Sequence, residues 1–219
     1  MHAACEQQNL QRLFESSDEA RLGNAAELLS RAGRVLIVGF RNSYPLAIHL
    51  RQQLVQCREA VGVAPQPGQS LGEEIAGLSP RDAVVLLGFR RRPESFSRVL
   101  RAIAGTGAAI VLIGDPTSRR FAADARVWIE CPVATEGAFD SYASAMSLMS
   151  LLANGVLADR GRPGTKRISA ITGLFDSLGE IEGQEHDKKF LGQVILGAPN
   201  LSGTTNSYKE KHPGPKTGV

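Results

Sequence analysis

Five short apolar runs recur along the chain, and the stretches between them carry apolar residues at helical spacing. The runs lie at residues 35–38, 60–64, 82–88, 108–113 and 127–131. A strand that is apolar at nearly every position is typical of a parallel sheet covered by helices on both faces. Because each parallel crossover needs its own connection, alternating strands and helices favour the same arrangement. The pattern therefore predicts an α/β fold: a three-layer α/β/α sandwich with a five-stranded parallel sheet.

Flanking segments differ in character from this central domain, which we expect at residues 34–160. Residues 1–33 read as two lead-in helices, and residues 161–182 as a further helix after a break at 160–164. The tail, 183–219, is rich in Gly, Lys, Ser, Thr, Asn and Pro, so we expect it to be largely disordered. For its one apolar run, 190–196, the sequence leaves two expectations open, docking on the domain or on a partner.

Composition narrows the class of protein. The 219 residues suit one domain with appendages, and a net charge of +3 is too small to indicate nucleic-acid binding by itself. No apolar stretch is long enough to span a membrane, and the first ten residues lack signal-peptide character, so we expect a cytoplasmic protein without membrane contact. Cys5, Cys57 and Cys131 are widely spaced and predict reduced thiols, with neither a disulfide framework nor a zinc site.

The stretch that follows the first apolar run is the strongest candidate for a ligand site. Arg41, Asn42 and Ser43 come directly after Gly39, at the carboxyl end of a predicted strand, where open α/β sheets bind ligands. We expect a helix to begin near residue 44, with Ser43 as its cap and Pro45 in its first turn. Unpaired amides at such a helix start favour an anion, and a phosphate is the natural ligand. Alternatively, Ser43 is an ordinary cap and its two neighbours are simply exposed.

Four motifs together resemble a known family. They are G-F-R-N-S-Y, G-F-R-R-R-P-E, D-P-T-S and F-D-S-Y-A-S-A-M-S-L. These motifs are similar to the sugar isomerase (SIS) domain of the RpiR/MurR family of bacterial transcriptional regulators, over roughly residues 10–160. The resemblance implies a flavodoxin-like domain that binds a phosphorylated sugar as effector and forms a homodimer or homotetramer. Family members carry an amino-terminal helix-turn-helix domain, for which residues 1–33 are too short. We therefore expect DNA contact only through a helix-turn-helix domain missing from this chain.

The resemblance also adds candidate ligand residues. After the third strand, many SIS domains carry a Ser/Thr-rich phosphate cradle, whereas this chain has an Arg-Arg-Arg sequence that begins with Arg90 and Arg91. Arginine can clamp phosphate with two hydrogen bonds, or these arginines pair with acidic residues at a dimer surface. Thr117 and Ser118 follow the fourth strand at the same sheet edge, where they bind ligand or cap a short helix. Ser141 matches the serine that the resemblance places near the sugar.

Catalysis is the competing hypothesis, because SIS domains also occur in phosphosugar isomerases. Moving a proton between adjacent carbons needs a base within hydrogen-bond reach of the substrate. Glu136 and His49 are the available candidates, but Glu136 lies in a surface loop and His49 about two turns into a helix. No dinucleotide or P-loop fingerprint is present, so we expect no cofactor. We therefore predict a non-enzymatic phosphosugar sensor, with an isomerase or a ligand-free dimerisation module as the alternatives.

Overall fold

A computed structural model describes residues 1–181 and contains one five-stranded sheet. Its strands are β1 Val35–Gly39, β2 Val61–Ala64, β3 Ala83–Leu87, β4 Ala109–Gly114 and β5 Val127–Glu130. All neighbouring strands are parallel and follow the order β2-β1-β3-β4-β5. This arrangement confirms the predicted α/β fold. The predictions made for the tail, 183–219, lie outside the described residues.

Helices cover both faces of the sheet. They are α1 His2–Ser16, α2 Glu19–Arg31, α3 Ser43–Cys57, α4 Leu71–Ala76, α5 Phe96–Gly105, α6 Ala143–Arg160 and α7 Arg162–Leu178, and a 3₁₀ helix spans Pro116–Asp124. Apolar residues of α1, α2, α3 and α6 pack on one face, while α5 and the segment around Leu78 pack on the other. The helix α7 packs outside this sandwich against α3 and α6. None of the helices in residues 1–181 is both long and apolar enough to cross a membrane.

Strand β1 shows why the apolar runs predicted this fold. Val35 and Ile37 belong to the core on one face of the sheet, and Leu36 and Val38 to the core on the other. All four side chains are fully buried, so the strand has no solvent-facing position at which a polar residue would be favoured. Strand β3 is buried at every position in the same way.

The strand order changes direction between β1 and β3. From β1 the chain crosses to β2 on one side, and it then returns to place β3 on the other side, with Gly39 paired to Leu87. Loops that leave two such strands diverge, which opens a crevice at their carboxyl ends. The fold therefore brings together the loops that follow β1 and β3.

Several predicted helix boundaries are corrected by the structure. The helix α3 begins at Ser43 itself, so Ser43 is a buried first-turn residue and not the cap. The helix α6 begins at Ala143 and not at residue 140, because Asp140 is paired with Arg90. The predicted break at 160–164 is limited to Gly161, since Pro163 fits the first turn of α7. The lead-in helices agree with expectation, and Asp18 caps the second of them.

Candidate functional site

A pocket of about 240 Å³ opens at the carboxyl ends of β1 and β3. It lies at the point where the strand order reverses, the usual ligand position in doubly wound sheets. Two loops supply most of its wall, and Phe139 adds a contact from the segment between β5 and α6. The lining residues are Phe40, Arg41, Asn42, Ser43, Leu87, Phe89, Arg90, Arg91, Arg92, Pro93, Phe96 and Phe139.

The start of α3 offers fewer free amides than its sequence predicts. The Ser43 amide donates to the Phe40 carbonyl at 2.9 Å, and the Tyr44 amide donates to the Arg41 carbonyl at 3.0 Å. Pro45 follows and has no N–H. These bonds correct the expectation of a row of unpaired helix amides. An anion in the pocket would therefore meet few free amides from the first turn of α3 itself.

Guanidinium groups dominate the electrostatics of the pocket. Arg41, Arg90 and Arg91 all line it, and only Arg90 has an acidic partner within residues 1–181, namely Asp140. Arg41 and Arg91 also have left-handed backbones, with φ of 53° and 65°. Such conformations are unfavourable for L-residues by about 1–2 kcal/mol, and they cluster at functional sites. Two exposed cations at the mouth of one pocket favour a ligand with a doubly charged group.

Arg92 has a structural role that its two neighbours do not share. Its guanidinium pairs with Asp115 at 2.7 Å and donates to the Gly88 carbonyl and to Thr117. Arg92 also lies 5.8 Å from the centroid of the Phe121 ring, close enough for a cation–π contact. This arginine joins the loop after β3 to the loop after β4. Of the three arginines after β3, Arg90 thus pairs with Asp140 and Arg92 with Asp115 of the same chain.

Five of the eight predicted ligand residues meet in the pocket, and Thr117, Ser118 and Ser141 do not. Ser118 is 0% exposed and accepts a hydrogen bond from the Trp128 indole at 3.1 Å, so its hydroxyl faces the interior and does not line the pocket. The Thr117 hydroxyl accepts a hydrogen bond from Arg92 and donates one to Asp115, whose side chain caps the 3₁₀ helix. Ser141 lies in a neighbouring groove beside Phe139. The residues after β4 therefore contact Arg92 behind the pocket but do not line it.

Aromatic walls are the part of the pocket that sequence reasoning missed. Phe40 and Phe89 each follow a glycine and precede an arginine, and both residues line the pocket. The repeated tripeptide Gly-Phe-Arg after two strands was the signal that could have identified them. The Phe89 ring makes an edge-on contact with the Tyr142 ring, with 5.5 Å between the ring centroids, and this contact fixes the position of Phe89 in the pocket wall. Phe139 is 82% exposed at the mouth.

Neither candidate base lies in the pocket. Glu136 is exposed in the groove that contains Ser141, and His49 is half-buried within α3. Within residues 1–181, no three His, Cys, Asp or Glu side chains cluster as metal ligands would.

Fold and pocket together define a doubly wound α/β domain with a candidate ligand pocket at its switch point. The chain belongs to the SIS domain family, since the family model for the SIS domain matches residues 28–155, more than half of its length. This match confirms the SIS domain inferred from the motifs. A search of curated protein sequences finds no significant match.

Solved structures share the fold at low sequence identity. The sugar isomerase domain of an RpiR transcription factor from Sphaerobacter thermophilus aligns with a TM-score of 0.68 at 21% identity, over 80% of this chain and 95% of that domain. The Vibrio vulnificus NanR protein complexed with ManNAc-6P also gives 0.68, at 15% identity, over 80% of this chain and 67% of NanR. A Methanococcus jannaschii protein, whose structure infers the function of a 3-hexulose-6-phosphate isomerase, gives 0.56 at 16% identity, over 75% and 93% of the two chains.

Proposed function

We propose that this chain is the phosphosugar-sensing SIS domain of an RpiR-like transcriptional regulator of sugar metabolism. In this proposal it binds a sugar phosphate as effector and does not convert it. The observation that carries the proposal is the grouping of Ser43, Arg41 and Arg91 in one pocket at the switch point. A phosphate monoester carries about two negative charges at neutral pH, which matches the guanidiniums of Arg41 and Arg91, neither of which has an acidic partner within residues 1–181. The similar NanR structure, which is complexed with ManNAc-6P, supports the ligand class.

Binding without turnover is supported by the chemistry of the pocket wall. Of the described residues that line it, none is a carboxylate or an imidazole. Isomerisation needs a base within hydrogen-bond reach of the substrate carbon, and Glu136 and His49 lie elsewhere. The aromatic side chains Phe40 and Phe89 offer apolar surface for the sugar ring, and Asn42 offers an amide for its hydroxyls.

A thermal-shift screen tests the proposal directly. The purified chain is heated with a panel of aldose and ketose phosphates and with the same sugars without phosphate. A ligand that binds only the folded state raises the melting temperature by mass action. We expect a shift with at least one phosphosugar, a much smaller shift with its unphosphorylated form, and a reduced shift for Ser43→Ala and Arg91→Met.

Controls separate this function from its alternatives. Arg101→Met changes an exposed arginine of α5 outside the pocket and should bind as the wild type does. Incubation of the best ligand with the chain, followed by NMR, should show no aldose–ketose interconversion. Turnover that depends on Glu136 would instead identify an isomerase. No shift across the panel would favour a dimerisation module without a ligand.

The regulatory part of the proposal concerns partners of the chain. A homodimer or homotetramer, with DNA contacted by a helix-turn-helix domain, would turn effector binding into a change in transcription. Ligand contacts would then favour one of two arrangements, as in other population-shift systems.

A further inference from the structure

A compact loop connects the pocket to the first helix of the chain. This bridging loop, residues 134–141, leaves β5 and returns to α6. The Ser141 amide donates to the Val133 carbonyl at 2.9 Å and closes its base. Inside the loop, the Thr135 hydroxyl accepts from the Gly137 amide at 3.2 Å and donates to the Phe139 carbonyl. A short loop that is closed at its base and braced internally moves as a unit, so displacement at one end reaches the other.

At its pocket end, the bridging loop is held by two arginines that also line the pocket. Arg90 pairs with the Asp140 carboxylate, and Arg91 donates to the Ala138 carbonyl at 3.3 Å. The Asp140 side chain is 3% exposed, whereas that of Arg90 is 42% exposed. A ligand in the pocket can therefore reach the Arg90 guanidinium while it is still paired with the loop.

At its other end, the bridging loop holds α1. The Asn9 amide donates to the Ala134 carbonyl at 2.8 Å, and the Cys5 thiol donates to the same carbonyl at 3.3 Å. Only Asn9 and Leu13 of the fifteen residues of α1 are buried. A helix with so little buried surface has a low local free energy of opening, so the two bonds to Ala134 are a substantial part of its attachment.

We infer that an anionic ligand in the pocket and the bridging loop compete for Arg90 and Arg91, so that ligand binding releases the loop and loosens α1. This coupling rests on the proposed function, because it requires a phosphate in the pocket. A dianion and the Asp140 carboxylate around one guanidinium repel each other. The bridging loop yields because its tip is exposed and Asp140 becomes hydrated as the tip leaves. The ligand thereby controls the helix that precedes the domain core, through a coupling free energy between two sites.

Cys5 is a native reporter of this coupling. The chain has three cysteines, and Cys57 and Cys131 are buried. Burial raises the pKa of the Cys57 thiol, and it raises that of Cys131 to about 12, which keeps both thiols protonated and unreactive. A thiol reagent applied to the folded chain at neutral pH therefore reads out Cys5, whose thiol is partly exposed and donates to the Ala134 carbonyl.

The test uses the full chain, inorganic phosphate as the probe, and sodium chloride at matched ionic strength as the reference. Melting temperature reports occupancy of the pocket, and the rate of Cys5 modification reports the attachment of α1. In the wild type, phosphate should raise the melting temperature and accelerate Cys5 modification at least about twofold. Asp140→Asn should show the fast rate without phosphate, and it should bind phosphate about two- to fivefold more tightly, the range expected from one ion pair. Asp159→Asn, an exposed acid at the far end of α6, should match the wild type.

The two measurements can fail separately. A phosphate-dependent melting shift with an unchanged Cys5 rate would leave the proposed function standing and overturn the coupling. Weaker phosphate binding by Asp140→Asn would show that Asp140 orients Arg90 for the ligand, which also overturns the competition. If phosphate changed neither the melting temperature nor the Cys5 rate, the ligand site and the coupling would be overturned together.

Discussion

Arg58 supplies hydrogen-bond donors to carbonyls at the carboxyl end of the helix α2. Its side chain is 3% exposed and donates to the carbonyls of Leu29, Ala32 and Gly33, the last at 3.3 Å. The final carbonyls of a helix have no intrahelical partner, and a buried arginine supplies several donors at once. The position of this cation beside α2 could not be predicted, because the pairing joins residues 29 positions apart.

Removal of the Arg58 guanidinium should destabilise the fold. Arg58→Met removes the donor to the buried Leu29 carbonyl and to the partly buried carbonyls of Ala32 and Gly33, and we expect the free energy of unfolding in urea to fall by about 3 kcal/mol. Arg101→Met, which changes an exposed arginine, should alter it by no more than about 0.5 kcal/mol. Equal unfolding midpoints for the two variants would contradict the role assigned to Arg58.

Asp82 ties the start of β3 to the start of β1, and its contribution depends on pH. Burial by itself would raise the pKa of this carboxyl, but hydrogen bonds from the Ser79 hydroxyl and amide and from the Arg34 amide hold the pKa below its ordinary value. A carboxyl whose pKa is lower in the folded state stabilises that state above its unfolded pKa, about 3.9. This stability is lost as the pH falls through the folded value.

Asp82→Asn tests this dependence. At pH 7 the variant should be less stable than the wild type by about 1–3 kcal/mol, because charge-assisted hydrogen bonds are lost. Unfolding measured in urea at pH 7 and again near pH 3 should show that this difference shrinks as the wild-type carboxyl is protonated. A difference that is equal at both pH values would contradict the account.

Residue identities in the pocket were predictable, whereas their partners were not. Arg41, Arg90 and Arg91 could be assigned because each follows a strand that its apolar run identifies. Nothing local indicates that Arg90 meets Asp140 across 50 residues, or that the Ser118 hydroxyl faces Trp128. Such pairings depend on how the loops after β3, β4 and β5 converge, which is a property of the assembled sheet.

At the scale of elements, strands were predicted better than helix starts. An all-apolar run has few alternatives to a doubly covered strand. A helix start is decided by competition for polar side chains: Asp140 could cap α6 by sequence, but it pairs with Arg90, and α6 begins three residues later. The first turn of α3 is shifted by the turn bonds of Ser43 and Tyr44 for the same kind of reason.

Packing of α3 against the end of β1 requires glycine at position 39. A Cβ placed on Gly39 would lie 2.5 Å from the Ser43 carbonyl oxygen and 3.0 Å from the Ala47 Cβ. Gly39→Ala should therefore displace the first turn of α3, lowering the free energy of unfolding by about 1–3 kcal/mol and weakening phosphosugar binding. Melting with and without ligand measures both effects.

Gly23 provides the matched control for that substitution. A Cβ on Gly23, within α2, would meet no atom within 4 Å. Gly23→Ala should raise the free energy of unfolding by about 0.5–1 kcal/mol, because alanine is the better helix former. It should leave ligand binding unchanged. Opposite signs for the two glycine substitutions are the expected result, and a neutral Gly39→Ala would contradict the close approach of α3.

In the whole molecule, the pocket arginines lie where the strand order opens a crevice between the loops after β1 and β3. The reversal of strand order between β1 and β3 separates two loops, and both loops carry arginines that line the resulting pocket. Net charge of the chain is only +3, which does not indicate a general basic surface, whereas Arg41, Arg90, Arg91 and Arg92 all line this one pocket. Sequence could place the pocket at this sheet edge, because strand ends of a parallel sheet share one edge.

Isothermal titration of a phosphosugar into variants of the pocket arginines tests most directly whether this pocket binds phosphate. The phosphosugar with the largest thermal shift is titrated into the wild type, into the Arg41→Met/Arg91→Met double variant and into Arg101→Met. Loss of two charge-assisted contacts to phosphate predicts affinity at least about tenfold weaker in the double variant and unchanged in Arg101→Met. Equal affinity in all three chains would contradict a phosphate site between Arg41 and Arg91.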